Sequence, residues 1–190
     1  MALTYRRNLL GDNGRILKKF VLNASLDFQV GDVVTYVTGS LTGEVPEDFN
    51  EVAEATAGRK IVGVIQAIIT ATGVAPSSNG CGGVFVDQFR TAANNETGAQ
   101  ICALVDMSPF SLYSADLDDT IGTTTGSNRA GYYLDLDTGD TSSHRLNEAS
   151  AEALGTVGGG QFLAHGVDPQ DTDNIIVNIA KSVLSGDTGV

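Results

Sequence analysis

Apolar and polar residues follow one another in short runs, and most of the runs have the period of a strand. In Gly131–Asp137 the residues alternate so that Tyr132, Leu134 and Leu136 share a face, and in Asn174–Ile179 the same spacing groups Ile175, Val177 and Ile179. Ile61–Ile69 is apolar on both faces and rich in β-branched residues, and Gly63 would weaken a helix there, so it predicts a buried strand. Val33–Val37, Val84–Phe89, Gln100–Val105 and Gln161–His165 are further predicted strands, bounded by Gly, Asn, Asp, Ser and Thr clusters. Arg15–Leu22 has a mixed pattern that fits an edge strand or an extended segment.

Two stretches predict short helices. Pro46–Ala53 places a proline at the first helical position and acids in the first turn, and Glu148–Leu154 ends at Gly155. The most loop-like stretch is Ala75–Gly83, which marks a possible subdivision of the body near 75–83. The pattern as a whole predicts a mainly β protein. It would be an antiparallel β-barrel or β-sandwich with an extended N-terminal arm and at most one or two short helices.

Charge changes the picture because it is unevenly placed. Residues 1–26 carry Arg6, Arg7, Arg15, Lys18 and Lys19 against the single acid Asp12, a net charge of +4. Residues 27–190 carry six basic and twenty-two acidic side chains, a net charge of −16. The chain therefore divides into a basic arm, 1–26, and an acidic body, 27–190, and the arm's five basic side chains are the candidate docking residues. With a pI near 4.3, direct nucleic-acid binding is disfavoured, since neutralising phosphates needs a clustered positive face. No apolar stretch has the length of a bilayer span, and no secretory leader pattern follows Arg6 and Arg7. Cys81 and Cys102 lack metal spacing and predict free thiols in a reducing cytoplasm, with one long-range bridge between them as the alternative.

The residues that could carry chemistry are sparse, and the sequence predicts no enzyme. There is no Gly-x-Ser-x-Gly elbow and no His-Glu-x-x-His pair. His165 reads as a hydrogen-bonded residue beside a turn, and His144 as a solvated one. Gly158–Gly160 leads into a strand rather than a helix, which predicts a close-approach loop and no phosphate cradle. Asp135, Asp137 and Asp140 form a weak calcium candidate. Asp140 stands where a calcium loop needs its turn glycine, and Leu146 where it needs a bidentate glutamate. No cofactor is expected.

The order of several segments resembles the decoration, or cement, proteins on the outside of tailed-bacteriophage heads. The resemblance runs from about residue 20 to residue 182. It rests on Phe28–Val34, on Ala57–Ile65, on Ala103–Pro109 followed by Phe110, and on Val157–Phe162 leading through Gly166–Pro169 to a terminal strand. It implies a non-enzymatic β-barrel protein of the virion. Such a protein is made in the host bacterial cytoplasm and binds the outer face of a major-capsid-protein lattice. It often does so as homotrimers, and it stabilises the shell without touching nucleic acid or membrane. Two alternatives are a neck, tail or head-fibre component and a calcium-dependent carbohydrate-binding β-sandwich.

Overall fold

A computed structural model describes residues 3–23, 25–37, 51–70, 85–87, 89–90, 102–117, 130–137, 145–153 and 160–184. Fourteen strands lie among them: β1 (Thr4–Asn8), β2 (Leu17–Leu22), β3 (Phe28–Gln29), β4 (Val33–Tyr36), β5 (Glu51–Glu54), β6 (Gly63–Thr70), β7 (Phe85–Asp87), β8 (Phe89–Arg90), β9 (Cys102–Asp106), β10 (Ser111–Asp116), β11 (Tyr132–Leu136), β12 (Leu146–Ala153), β13 (Phe162–Asp168) and β14 (Asp171–Ile179). The only helical turn among the described residues is a 3-10 turn at Asp12–Gly14.

Five of the strands close on themselves. The order β4-β5-β2-β9-β6 returns to β4 through Val33↔Val64 and Val34↔Gly63, which makes a barrel. Its pairings are antiparallel except β2 with β5, and β7 extends it from the far half of β6. Phe20, Leu22, Val34, Val52, Ile65, Ile68, Ala103 and Val105 fill the interior, with Phe28, from the small β3–β8 ribbon, in the same cluster.

The second sheet is antiparallel throughout, in the order β1-β10-β14-β13-β11-β12. It curls until the end of β10 meets the start of β12 at the Leu117↔Leu146 bridge, beside an ion pair between Arg145 and Asp116 (3.3 Å). Most residues predicted to share faces do so, but Tyr132 is only half-buried and lies outside the cluster, where a register shift interrupts β11 between Tyr133 and Asp135. Leu134 and Leu136 on β11 and Ile175, Val177 and Ile179 on β14 are buried in one cluster with Tyr113 and Phe162. Val33, Ala55, Ile61 and Val64 belong to that same cluster although their segments build the first barrel. The core of the second sheet therefore extends onto the barrel segments, while the barrel interior keeps its own cluster.

Two glycines are fixed by close approach. A side chain at Gly63 would collide with the backbone of Asp106 and come within 2.6 Å of the Val105 side chain, so β6 and β9 can lie this close only if residue 63 is glycine. At Gly160 a Cβ would lie 2.6 Å from the Leu134 carbonyl oxygen, which matches the close approach read from the Gly158–Gly160 run.

Three expectations are corrected. Residues 51–54 are not helical: Val52 sits in the barrel interior and the segment pairs with both β2 and β4, so burial overrides the acidic helix signal; residues 46–50 of that prediction lie outside the described residues. Residues 146–153 are likewise an edge strand paired with β11. Third, Cys102 is not a free thiol but disulfide-bonded. Register accounts for this. Cys102 lies opposite Ile69, and the next pair along β6 is Thr70↔Phe85, where the chain bearing the only other cysteine leaves and returns. Cys81 itself lies outside the described residues.

Candidate docking site

The N-terminal segment is extended, but Leu17–Leu22 is not the edge strand its mixed pattern suggests: it has a neighbour on each side, and the segment is built into both units. β1 pairs with β10 of the open sheet, residues 9–16 cross over, and β2 lies between β5 and β9 of the barrel. Beside this crossover, residues 107–110 run the opposite way from β9 to β10. Backbone bonds from Leu9 N–H to the Phe110 carbonyl (2.9 Å) and from Met107 N–H to the Ile16 carbonyl (2.8 Å) tie the two crossings together.

A buried polar network sits under the crossover. Asp106, fully buried, accepts from Arg15 Nε (3.1 Å), from the Ser111 hydroxyl (2.8 Å) and from Ser108 N–H (3.1 Å). Asn8 donates from Nδ2 to the hydroxyls of Ser108 (3.0 Å) and Ser111 (3.1 Å), while its Oδ1 accepts from Leu10 N–H (2.9 Å). Arg15 also donates to Gln66 (2.8 Å) and stacks 4.0 Å over the ring of Tyr5. Burial pushes the Tyr113 hydroxyl well above its ordinary pKa, and the nearby Asp106 charge pushes it the same way, so this phenol stays neutral. These groups hold the backbone of the crossover in place. No arrangement of nucleophile, base and accessible cleft is assembled from them.

The five basic side chains read from the sequence separate into two groups. Arg6 and Arg15 turn inward. Arg6 pairs with buried Asp168 (2.7 Å) and donates to Gln170 (2.9 Å), and Arg15 serves Asp106. Arg7 and Lys18 are exposed and Lys19 is half-buried. Burial alone would raise the Asp168 carboxyl, but hydrogen bonds from the Ser114 hydroxyl and Gln170 N–H, and then Arg6, outweigh it and hold the pKa below the ordinary value. A depressed carboxyl contributes stability that is complete above its unfolded pKa and lost as pH falls through the folded one. Acid unfolding followed by circular dichroism should therefore begin below about pH 4. Arg6→Ala should move the midpoint upward, and an unchanged midpoint would remove Arg6 from this role.

The other candidates are placed as follows. Asp135 Oδ1 accepts from Gln161 N–H (3.0 Å), Asp137 N–H donates to the Arg145 carbonyl (2.8 Å), and Asp140 lies outside the described residues. Among the described residues no group of three or more His, Cys, Asp or Glu is placed to hold a metal ion. His165 is exposed on β13 and donates from Nε2 to Asn178 Oδ1 (2.7 Å); His144 lies outside the described residues.

Beside its basic side chains the N-terminal segment carries exposed apolar residues that the charge pattern does not reveal. Among the described residues seven large hydrophobic side chains are exposed, and five of them, Leu9, Leu10, Ile16, Leu17 and Phe110, lie on or at the ends of the two crossings. The Leu9–Leu10 and Ile16–Leu17 pairs on either side of the polar turn Gly11–Gly14 are visible in the sequence and are the signal that could have found this surface. Comparison of the chain with protein-family models, with curated proteins and with solved structures found no match.

Proposed function

We propose that this protein is a structural virion component that binds in many copies to the outer surface of a phage major-capsid lattice and stabilises the head. The observation that carries the reading is the uneven placement of charge: with Arg6 and Arg15 paired inward, Arg7 and Lys18 remain exposed on strands of a chain whose remaining residues, 27–190, are net −16. A fixed basic face can seek carboxylates on a shell while the acidic remainder keeps free copies apart. Each contact can be weak, because repetition over a lattice that expands once sums many small stabilisations. The disulfide at Cys102 supports an external position, since disulfides persist on virion surfaces and are rare in the cytosol.

Removing residues 1–19 is a poor test, because it takes away β1 and half of β2. Point substitution is cleaner. Purified protein should co-sediment with undecorated, expanded heads of the source phage at hundreds of copies per particle. Replacing Arg7 and Lys18 together by glutamate should weaken binding about tenfold at low salt. Absence of binding would end the reading, and a dozen copies or fewer would move the protein to the neck or tail.

A further inference from the structure

We infer that the basic face grips its partner through an apolar knob built by Leu9, Leu10 and Phe110 and extended by Ile16 and Leu17. The occupant is an apolar pocket rimmed by carboxylates on the shell protein. The inference rests on the reading above and names the contact through which it operates.

Exposed apolar residues scattered singly need no explanation, but a cluster of them does. Here five of them lie on or at the ends of two crossings whose backbones are tied together. Leu9 is bonded to Phe110, Ile16 to Met107, and residues 107 and 110 are only three apart, so the two ends lie within about 11 Å along the backbone. Leu10 is the most exposed of the seven at 62%, and Leu9 is at 50%. Such exposure would fit a floppy tip, but this tip is pinned. Asn8 caps Leu10 N–H, Gly11 N–H donates to the Asn8 carbonyl (3.1 Å), and Gly14 N–H donates to the Gly11 carbonyl (2.9 Å). Apolar side chains on a backbone already held in place spare binding the cost of ordering that backbone, which favours a central anchor.

Charge narrows the occupant. Arg7 and Lys18 are exposed on the strands that lead into and out of the crossover, so a surface opposite them presents carboxylates around its apolar centre. A symmetric contact of this face with the same face of a second copy would set Arg7 and Lys18 against like charges. An anionic membrane attracts the face but repels a chain of net charge −12. A protein pocket whose acids are confined to its rim meets the face without setting the acidic body against a broad anionic plane, as a membrane would.

The test compares wild-type protein, Leu10→Asp, Phe110→Asp and the double variant Arg7→Ala/Lys18→Ala for binding to undecorated expanded heads at low and high salt. All the substituted positions but Phe110 and Leu10 lie on strands, and all four are exposed, so thermal melts should stay close to wild type. Each aspartate variant should lose about tenfold or more in affinity at both salt concentrations. The double alanine variant should lose affinity at low salt and converge on wild type at high salt. Aspartate variants that bind as wild type overturn the knob while leaving shell binding intact. Wild-type protein that fails to bind heads overturns the underlying reading, and the knob falls with it. Two further results also overturn the inference: self-association of free protein that Leu10→Asp abolishes while head binding persists, and flotation with phosphatidylserine vesicles that Leu10→Asp abolishes while head binding persists.

Discussion

Asp106→Ala is expected to destabilise the protein by about 3–5 kcal/mol, the usual cost of breaking a buried ion pair from one side. The carboxylate is the meeting point of four segments. It accepts from Arg15 after the crossover turn, from Ser108 between the units and from Ser111 at the start of β10, and its own strand abuts Gly63 of β6. Alanine leaves the Arg15 guanidinium without its buried partner and frees two further donors at positions without solvent. For a chain of this length the loss corresponds to a fall in melting temperature of about 10 °C. Asp106→Asn, which keeps the shape and an acceptor oxygen, should fall between alanine and wild type. A double-mutant cycle with Arg15→Ala isolates the pair, and coupling indistinguishable from zero would show that Asp106 does not hold Arg15.

Gln161→Ala should be nearly as damaging, by about 3 kcal/mol, and its effect should be local before it is global. This fully buried amide stitches the second sheet to the barrel. Oε1 accepts from Leu136 N–H (3.0 Å), and Nε2 donates to the carbonyls of Thr56 (2.9 Å) and Arg59 (2.8 Å). Alanine strands three backbone groups at a junction where Ile61 also pairs with Ser182. Amide hydrogen exchange should quicken at Leu136 and across residues 55–62 before it quickens in β14. Uniform protection loss across both units would show that the junction does not open by itself.

How much of this was legible in the sequence depends on which force dominates each segment. β11, β14 and β6 were visible because burial writes itself as alternation or as a continuous apolar run. β10 was invisible: Ser111, buried through hydrogen bonds to Asp106 and Asn8, and Ser114, buried by its place in the strand, make it read as polar. β12 and β5 carry helix-end signals, Gly155 after the one and Pro46 with first-turn acids before the other, whereas pairing partners distant in sequence decide their form. The candidate site was half legible. The basic residues stood out, but nothing local distinguishes Arg6 and Arg15, which pair with Asp168 and Asp106 far along the chain, from Arg7 and Lys18, which do not turn inward. The disulfide was hidden for the same reason, since nothing in the sequence around Cys102 marks it as bridged.

The placement of the first two strands has a consequence for synthesis on the ribosome. Thr4 pairs with Ser114, so the leading strand leaves the exit tunnel more than a hundred residues before its partner. At cellular elongation speeds that is a wait of roughly 5–20 s, during which an unpaired edge is open to neighbouring nascent chains on the same polysome. Arg6, Arg7, Lys18 and Lys19 stand on those waiting strands, and like charges on adjacent nascent chains repel. The same cations thus act as gatekeepers against aggregation until β9 and β10 emerge to complete the sheets.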